Sequence, residues 1–443
     1  MFKNVSFVIL VVILLLAILM EPLVLRWIGG ISSVMIAVTI CLLVASYKKD
    51  DIPFFKAVRQ GFQANKGLLF FLVSFYFWVT VGYFRDIEDV GGNEIKKHLM
   101  GIFTLFLGFF LAVNKKYTRL LILAMIPLML FHAFMAKNYV DSTGNDLRVA
   151  LRDEEGLGHT QYWTTFAILS LIILSYLLAE KNKIIKIVGV ICLIPFYYVI
   201  LICGFATPVA LFIIGHALLG LAYFRFGPQK SSLFLKRLGL AGGLLVFSVG
   251  AVIILSQAKS NVLRNIQYRF KNMLEDPRGG GYEREHSRFD LILISIDTFK
   301  QYPLLGCGGP SQNNPRSGGH NDWADFLALY GIVGGGAMII FVCLCLRNTT
   351  LRCKREKEWT AYGRFAAAGM YMIVGIVNPL WTGPTMVILF LLVQPFKLPK
   401  QRSVLDYPKL DMRIHNPTRR FTQRYKGLQK EIEWDVYRFQ KPL

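Results

Sequence analysis

Charged residues are scarce in this chain of 443 residues, because Asp, Glu, Lys and Arg make up 18% of it whereas 54% is hydrophobic. A soluble chain of this length carries more charge and fewer unbroken apolar runs, which argues against a soluble multidomain protein. The mean hydropathy of +0.45 supports the same conclusion. The composition therefore predicts a membrane protein.

The sequence also lacks the patterns of several common sites. Its seven cysteines are scattered singly and most lie in apolar runs, so no disulfide framework is expected. No His and Cys cluster has the spacing of zinc ligands, and no Walker loop or dinucleotide fingerprint is present. We therefore expect no metal ion, no cofactor and no nucleic-acid partner.

Long apolar runs are the main feature of the sequence. A helix needs roughly 20 mostly apolar residues to cross a bilayer. The runs predict an all-α polytopic membrane protein with about twelve transmembrane helices. The predicted spans are residues 5–20, 27–46, 67–84, 99–113, 120–136, 163–179, 187–203, 208–223, 238–256, 324–346, 361–377 and 386–396.

The placement of the net charge of +22 predicts the orientation of these spans. Loops rich in Lys and Arg resist translocation and stay in the cytoplasm. If the chain starts inside, the basic residues fall in the even-numbered loops: Lys48, Lys49, Lys115, Lys116, Lys181, Lys183, Lys186, Lys230, Lys236, Arg237, Arg352, Lys354 and Arg355. Both termini are therefore expected in the cytoplasm of a multi-pass protein.

This topology divides the chain into four parts. Residues 1–256 would hold helices one to nine with short loops, and 257–323 would form a large, partly helical external loop between helices nine and ten. Residues 324–396 would hold helices ten to twelve. Residues 397–443 would be a basic cytoplasmic tail, with twelve Lys and Arg against five Asp and Glu.

The external loop contains an ordered series of short motifs. Arg288 precedes a run with the pattern of an amphipathic helix at 289–299. A Pro-Leu-Leu-Gly-Cys-Gly turn follows at 303–308, then Gly-Gly-His-Asn at 318–321, and then Gly-Ile-Val-Gly at 331–334. Loops on a rigid scaffold commonly carry function, so this segment is the candidate site.

The series resembles the O-antigen ligase and polymerase family, whose members are membrane glycosyltransferases acting on undecaprenyl-linked sugars outside the inner membrane. In that family an Arg begins an amphipathic helix, a Pro-Leu-x-Gly-x-Gly turn follows, and His-Asn with a later Gly-x-x-Gly opens the next membrane helix. The matching motifs cover residues 288–334, and the topology supports the resemblance over the rest of the chain.

The resemblance implies a periplasmic active site in the bacterial inner membrane. Its substrates would be an undecaprenyl-diphosphate-linked glycan and a lipid A-core acceptor, besides contact with membrane lipid. The reaction would be an inverting, metal-independent transfer with no cofactor. His320 and Arg288 would be the catalytic residues, and Asn321, Gly306 and Gly308 would contribute to substrate binding.

The chemistry of these residue types agrees with those roles. His320 would stand at the N-terminus of a helix, whose dipole disfavours the imidazolium and keeps the ring neutral. A neutral imidazole can accept the proton of an attacking sugar hydroxyl. Arg288 could bind the leaving diphosphate with two parallel hydrogen bonds. The simpler alternatives are a His that only caps a helix and an Arg that contacts lipid headgroups.

One position departs from the family pattern. Members usually have a second functional Arg where the eighth span opens, but residues 203–208 of this chain read Cys-Gly-Phe-Ala-Thr-Pro. Arg148 and Arg152, on the same predicted external side, are candidates to replace it in substrate binding. Five other loop arginines are expected to meet headgroups or solvent: Arg264, Arg269, Arg278, Arg284 and Arg316.

Two further observations have simple explanations. Asp322 and Asp325 lie three residues apart at a predicted helix start, where acidic side chains favour the helix dipole more often than they bind a cation. His216 lies inside an apolar span, where a hydrogen bond between helices is a more common role than proton transfer.

Two functions compete with the ligase. An O-antigen polymerase, which joins lipid-linked repeat units, would use a very similar site. A polysaccharide transporter or flippase without chemistry belongs to a different class. Transporters usually have paired broken helices or internal repeats with intramembrane charges, and neither is evident in the sequence.

Overall fold

The computed structural model describes residues 54–85, 104–143, 160–202, 206–227, 288–308, 321–376 and 389–397. Within these ranges the chain forms helices and turns and no β-strand, which confirms the all-helical prediction for this part of the chain. The helices are α1 (Phe54–Ala64), α2 (Lys66–Arg85), α3 (Thr104–Val113), α4 (Lys115–Thr143), α5 (Thr160–Ala179), α6 (Lys183–Ile202), α7 (Ala206–Phe226), α8 (Arg288–Gln301), α9 (Asp322–Glu356), α10 (Trp359–Val374) and a π-helix (Leu389–Val393).

Several of these helices are long and apolar enough to cross a membrane. They are α6, α7 and α9, and the bent pair of α1 and α2 makes a fourth if it counts as one span. Shorter apolar helices occur in α3, α4 and α5. These lengths are consistent with a membrane protein. The predicted spans 5–20, 27–46 and 238–256 lie outside the described residues.

The centre of the bundle is formed by α5 and α10. Helix α5 is buried on all sides from Trp163 to Leu174, as expected for a helix that is apolar around its whole circumference. It packs against α4, α6, α7 and α10. A Cβ at Gly363 of α10 would lie 2.1 Å from the Ser175 hydroxyl oxygen of α5, so the two helices approach closely at this point. Small residues commonly permit such crossings in membrane proteins.

Helix α6 lies at the periphery of the bundle. Its large apolar side chains are exposed at helical spacing, namely Ile184, Ile187, Val188, Ile191 and Ile194, followed by Tyr198. An exposed apolar stripe of this length is unusual on a soluble protein, where such patches mark contact with membrane or another protein. The stripe agrees with a helix that faces lipid.

A sharp bend separates α1 from α2. The two helix axes differ by 92°, with Asn65 between them. The buried Asn65 side chain donates to the Lys397 carbonyl over 3.1 Å and accepts from the Lys397 N–H over 2.7 Å. These bonds fix the segment after the π-helix. In the described part of the last predicted span, 386–396, only Leu389–Val393 is helical, and it forms a π-helix. Residues 394–397 are not helical.

Helix α9 is the longest described helix and spans 35 residues. It packs along α2 and is also in contact with α7, α8 and α10. Its dihedral angles are non-helical at Gly331, so it consists of two helical parts joined at a kink. The candidate site lies at its first turns.

Candidate functional site

The backbone of the Pro-Leu-Leu-Gly-Cys-Gly turn at 303–308 packs into the kink of α9. Gly331 has φ 62° and ψ −169°, which interrupts the hydrogen bonds of the helix around it. The Cys307 and Gly308 N–H groups donate to the Ala328 and Leu329 carbonyls, each over 3.0 Å. Buried backbone groups need partners, and here the turn supplies them for two carbonyls.

The same turn accepts hydrogen bonds from the other side of the kink. The Ile332 N–H donates to the Pro303 carbonyl over 2.9 Å, and the Val333 N–H donates to the Leu304 carbonyl over 3.3 Å. The turn and the two parts of α9 are thus joined by four backbone hydrogen bonds. The two motifs at 303–308 and 331–334, which are distant in sequence, form one structural unit.

Glycine is required on both sides of this joint. Gly306 has φ +73°, and a Cβ on it would lie 2.2 Å from the Leu329 carbonyl oxygen. A Cβ on Gly331 would lie 2.2 Å from the Leu304 carbonyl oxygen. Positive φ is accessible to glycine without steric cost, and the overlapping atoms are backbone that no rotamer change can move. No other residue fits at either position.

The second glycine of the motif at 331–334 has another partner. A Cβ on Gly334 would lie 2.8 Å from the Trp78 Cβ of α2, besides 2.6 Å from the Tyr330 Cβ. Gly334 therefore permits the close packing of α9 against α2. Gly331 is thus explained by backbone contacts, and Gly334 by close contact with the side chains of Trp78 and Tyr330.

Helix α9 begins with a side-chain cap. Asn321 is the N-cap residue, in extended conformation, and its Oδ1 accepts from the Ala324 N–H over 3.0 Å. Asn commonly caps helices in this way because the first backbone N–H groups of a helix have no partner within it. The Asn321 side chain is buried, so its position is fixed by the fold.

Asp325 joins α8 to the start of α9. Its Oδ1 accepts from the Ser295 hydroxyl of α8 over 2.5 Å, and its Oδ2 accepts from the Asn321 N–H over 3.3 Å. Asp325 is only 7% exposed and Ser295 is fully buried. The interpretation of this Asp as a dipole-stabilising residue was therefore incomplete, because its carboxylate also holds α8 and the cap residue.

Trp323 holds the first helical turn of α9 against α10. The Trp323 indole N–H donates to the Met372 carbonyl over 3.1 Å. A Cβ at Gly375, just after α10, would lie 2.7 Å from the Trp323 ring. The start of α9 is thus fixed on three sides, by the turn, by α8 and by the end of α10.

The predicted site residues fall into two groups. Gly306 and Gly308 lie at the kink of α9, and Asn321 caps the start of the same helix. Arg288 is the first residue of α8, which agrees with the prediction that an Arg begins this helix. The other three candidates, His320, Arg148 and Arg152, lie outside the described residues. His320 immediately precedes Asn321 in the sequence.

Ser295, Asp325 and Trp323 were not among the predicted site residues. Ser295 is a polar residue within the apolar run 291–296, and such a residue on a buried helix face needs a hydrogen-bond partner. That signal could have identified it. Its partner could not be read from the sequence, because 30 positions separate the two residues.

No group of three or more possible metal ligands occurs among the described residues, those around Asp322 and Asp325 included. His216 of α7 forms a hydrogen bond of 2.7 Å with the Phe212 carbonyl of its own helix. No protein-family model matches this chain. A search of curated proteins likewise found no significant match.

Proposed function

We propose that this chain is an O-antigen ligase, which transfers a preassembled glycan from undecaprenyl diphosphate to lipid A-core. The observation that carries the proposal is the hydrogen-bonded joint of the turn 303–308 with the kink at Gly331. Two separate motifs of the resemblance, at 303–308 and 331–334, meet there. The helix that begins at Arg288 is bonded to the start of α9 through Ser295 and Asp325. A chance resemblance of short motifs would give no reason for them to meet.

The proposed reaction is a displacement at the anomeric carbon of the first donor sugar. A hydroxyl of the lipid A-core attacks this carbon, and the bond from the carbon to the diphosphate oxygen breaks with inversion. His320 accepts the proton of the attacking hydroxyl, and undecaprenyl diphosphate leaves. His320 adjoins the capped start of α9, where the helix dipole favours the neutral imidazole that the reaction requires.

Arginine side chains stabilise the diphosphate as it leaves. Arg288 is the first choice, because it begins α8 and α8 is bonded to the start of α9 through Ser295 and Asp325. Arg148 and Arg152 are proposed to supply the further positive charge. Guanidinium groups suit this role, since they remain protonated and bind phosphate oxygens in pairs.

The polyprenyl part of the donor needs apolar surface beside the site. A groove of about 400 Å³ runs along α2, lined by Leu69, Phe70, Val73, Ser74, Phe77 and Trp78. Trp78 is also the residue that packs against Gly334, so the groove lies on the helix that contacts the kinked part of α9. We propose that the polyprenyl chain lies in this groove.

The proposed topology has about twelve spans in the bacterial inner membrane. The start of α9 and the loop 257–323 face the periplasm, and both termini face the cytoplasm. The supporting observation is the distribution of charge along α9. Its first turn carries Asp322 and Asp325, and its last turn carries Lys354 and Arg355, as the positive-inside rule requires for this direction.

The transporter alternative gains one observation from the fold, because two helices are broken. Transporters use unwound backbone at such breaks to bind substrate or ions. Here the break at Gly331 is closed by the turn 303–308, and the bend at Asn65 is closed by its own side chain and Lys397. These hydrogen bonds occupy backbone groups at both breaks, which favours an enzyme.

The test is the lipopolysaccharide profile of a deletion strain of the source bacterium, complemented with the wild type or with His320→Ala. A ligase predicts loss of all long glycan from lipid A-core, with polymerised undecaprenyl-linked glycan accumulating. Core carrying a single repeat unit would identify the polymerase instead. An unchanged profile would contradict both enzymes, and full rescue by His320→Ala would contradict the assigned base.

A further inference from the structure

Two arginines are buried near the opposite end of α9. Arg352 of α9 and Arg364 of α10 are each only 3% exposed. An arginine side chain remains protonated in proteins, so both carry a full positive charge away from water. A buried charge of this kind is costly unless another group pairs with it.

The described residues supply only part of the required counter-charge. The Arg352 Nε donates to the Glu356 Oε1 over 2.9 Å. The Arg364 Nη2 donates to the Tyr176 hydroxyl, which is neutral. Two buried cations therefore share one carboxylate.

Several hydrogen-bonding atoms of these side chains have no partner among the described residues. The Arg352 Nη1 and the Arg364 Nε are buried and donate to no group in the described part of the chain. Lys115, at the start of α4, also acts electrostatically on the Glu356 carboxylate, as does Arg364. The cluster thus combines three cations with one anion, and the exposed Arg355 also places its Nη2 3.6 Å from the Glu356 Oε1. Two guanidinium donors and the Glu356 Oε2 have no partner in the described part of the chain.

We propose that this cluster, defined by Arg352, Arg364, Lys115 and Glu356, binds an oxyanion of the phosphate class. A phosphate offers several acceptor oxygens and a negative charge. These match the unused guanidinium N–H donors and the excess positive charge of the cluster. The site is distinct from the start of α9 and does not depend on the proposed transfer reaction.

Two sources can supply such an oxyanion. In the proposed orientation this end of α9 faces the cytoplasm, whose leaflet contains anionic lipids, and basic pockets between membrane helices bind their headgroups. A soluble phosphate or diphosphate is the other source. Both have the same chemistry, so the experiment includes a probe for each.

The test uses the full-length protein in phosphatidylcholine nanodiscs, with and without phosphatidylglycerol, and with or without added inorganic pyrophosphate. The melting temperature and the pyrophosphate dissociation constant are measured. A rise in melting temperature with phosphatidylglycerol alone identifies a headgroup site. A rise with pyrophosphate alone identifies a site for soluble phosphates. No rise with either probe overturns the proposal.

Three variants separate a specific site from general attraction to a basic surface. Arg364→Gln should abolish the rise, whereas Lys354→Gln, which removes an exposed charge from the same end, should preserve it. Glu356→Gln removes the competing carboxylate and should tighten binding roughly tenfold. This last variant keeps both arginines, so it remains informative if Arg364→Gln does not fold. Unchanged or weaker binding by Glu356→Gln would overturn the proposal.

Discussion

The two ends of α9 are held in place by different means. At its start, near Gly331 and Asn321, the contacts are backbone hydrogen bonds and one buried carboxylate with neutral donors. Toward its end, at Arg352 and Glu356, the contacts are between buried full charges. From Gly331 to Arg352 the helix rises about 32 Å, close to the thickness of the hydrocarbon core of a bilayer.

This difference indicates how each end responds to change. The start of α9 depends on steric fit, because a Cβ on Gly306 or Gly331 would overlap a backbone carbonyl of the segment packed against it. The end of α9 depends on charge balance, which a bound anion or a neutralising substitution can alter. Substitutions that add side-chain volume should therefore lower the free energy of unfolding most at the start of α9. Substitutions that change charge should act at its end, and their effect should depend on whether an anion is present.

The largest effect is expected from Gly331→Ala. The new Cβ would overlap the Leu304 carbonyl, and the residue would have to keep a positive φ. We expect the free energy of unfolding to fall by about 4 kcal/mol, with the turn released from the helix. Thermal unfolding of the purified protein in detergent measures the loss, and faster proteolysis near the turn would show the release.

Gly336→Ala is the matched control for that substitution. Gly336 lies in the same helix, and its nearest neighbour is a flexible Ile332 side-chain atom at 3.5 Å. Alanine favours helix over glycine by roughly 1 kcal/mol, so Gly336→Ala should be neutral or slightly stabilising. Equal losses in the two variants would contradict the special role of the joint.

A second large effect is expected from Asp325→Ala. It would leave the buried Ser295 hydroxyl and the Asn321 N–H without this acceptor. The free energy of unfolding should fall by about 3 kcal/mol. Asp297→Ala, in an exposed ion pair with Lys300, should cost less than about 0.5 kcal/mol. A similar cost for both would show that α8 is not held by Asp325.

A smaller effect is expected from Tyr176→Phe, which removes the acceptor of the Arg364 guanidinium. Hydrogen bonds to charged groups are worth more than neutral ones, so the loss should be about 1.5 kcal/mol. Tyr198→Phe, on the exposed face of α6, is the control and should change little. If the proposed anion is bound, added pyrophosphate or phosphatidylglycerol should reduce the loss in Tyr176→Phe.

The smallest effect is expected from Arg119→Gln on α4, whose ion-pair partner Glu180 lies at the turn between α5 and α6. Partial burial raises the pKa of Glu180, but the Asn182 N–H and the Arg119 guanidinium outweigh it and hold that pKa below its ordinary value. The pair therefore stabilises the fold above the ordinary carboxyl pKa, and this contribution disappears as the pH falls through the lowered value.

An exposed ion pair of this kind contributes less than about 0.5 kcal/mol. Arg119→Gln should remove that contribution at neutral pH and flatten the acid side of the stability profile. Unfolding measured from neutral to acidic pH, at low and high salt, provides the check. A loss that is large and unaffected by salt would contradict the description of this pair as solvent-screened.

The sequence predicted the helices well where apolar runs are long. The spans at 67–84, 163–179, 187–203 and 208–223 each coincide with an observed helix to within a few residues. Such runs must be helical in a bilayer, because each backbone group needs a partner within its own segment. Hydropathy is sufficient for this part of the fold.

The sequence did not predict the breaks. The span 324–346 was expected to be continuous, yet Gly331 interrupts it, and Asn65 separates α1 from α2. Both breaks are stabilised by residues far away in the chain, namely the turn 303–308 and Lys397. Averaged hydropathy carries no information on such long-range contacts. The many glycines at 331–336 are the one sequence feature that coincides with a break, the one at Gly331.

Of the candidate site, the order of motifs was predictable and the contacts were not. Gly306 and Gly331 stood out as motif glycines, but only the structure shows that they meet. The Ser295 and Asp325 pair depends on how α8 lies on α9, which no local pattern specifies. The roles of His320, Arg288, Arg148 and Arg152 stay predictions.

The most direct test of the proposed function is transfer by the purified full-length protein. The reaction contains undecaprenyl-diphosphate-linked glycan, lipid A-core and a chelator of divalent metals. We expect the wild type to attach glycan to the core, and His320→Ala to melt at the same temperature without transferring it. Absence of transfer by a folded wild-type protein, or unchanged transfer by His320→Ala, would contradict this account.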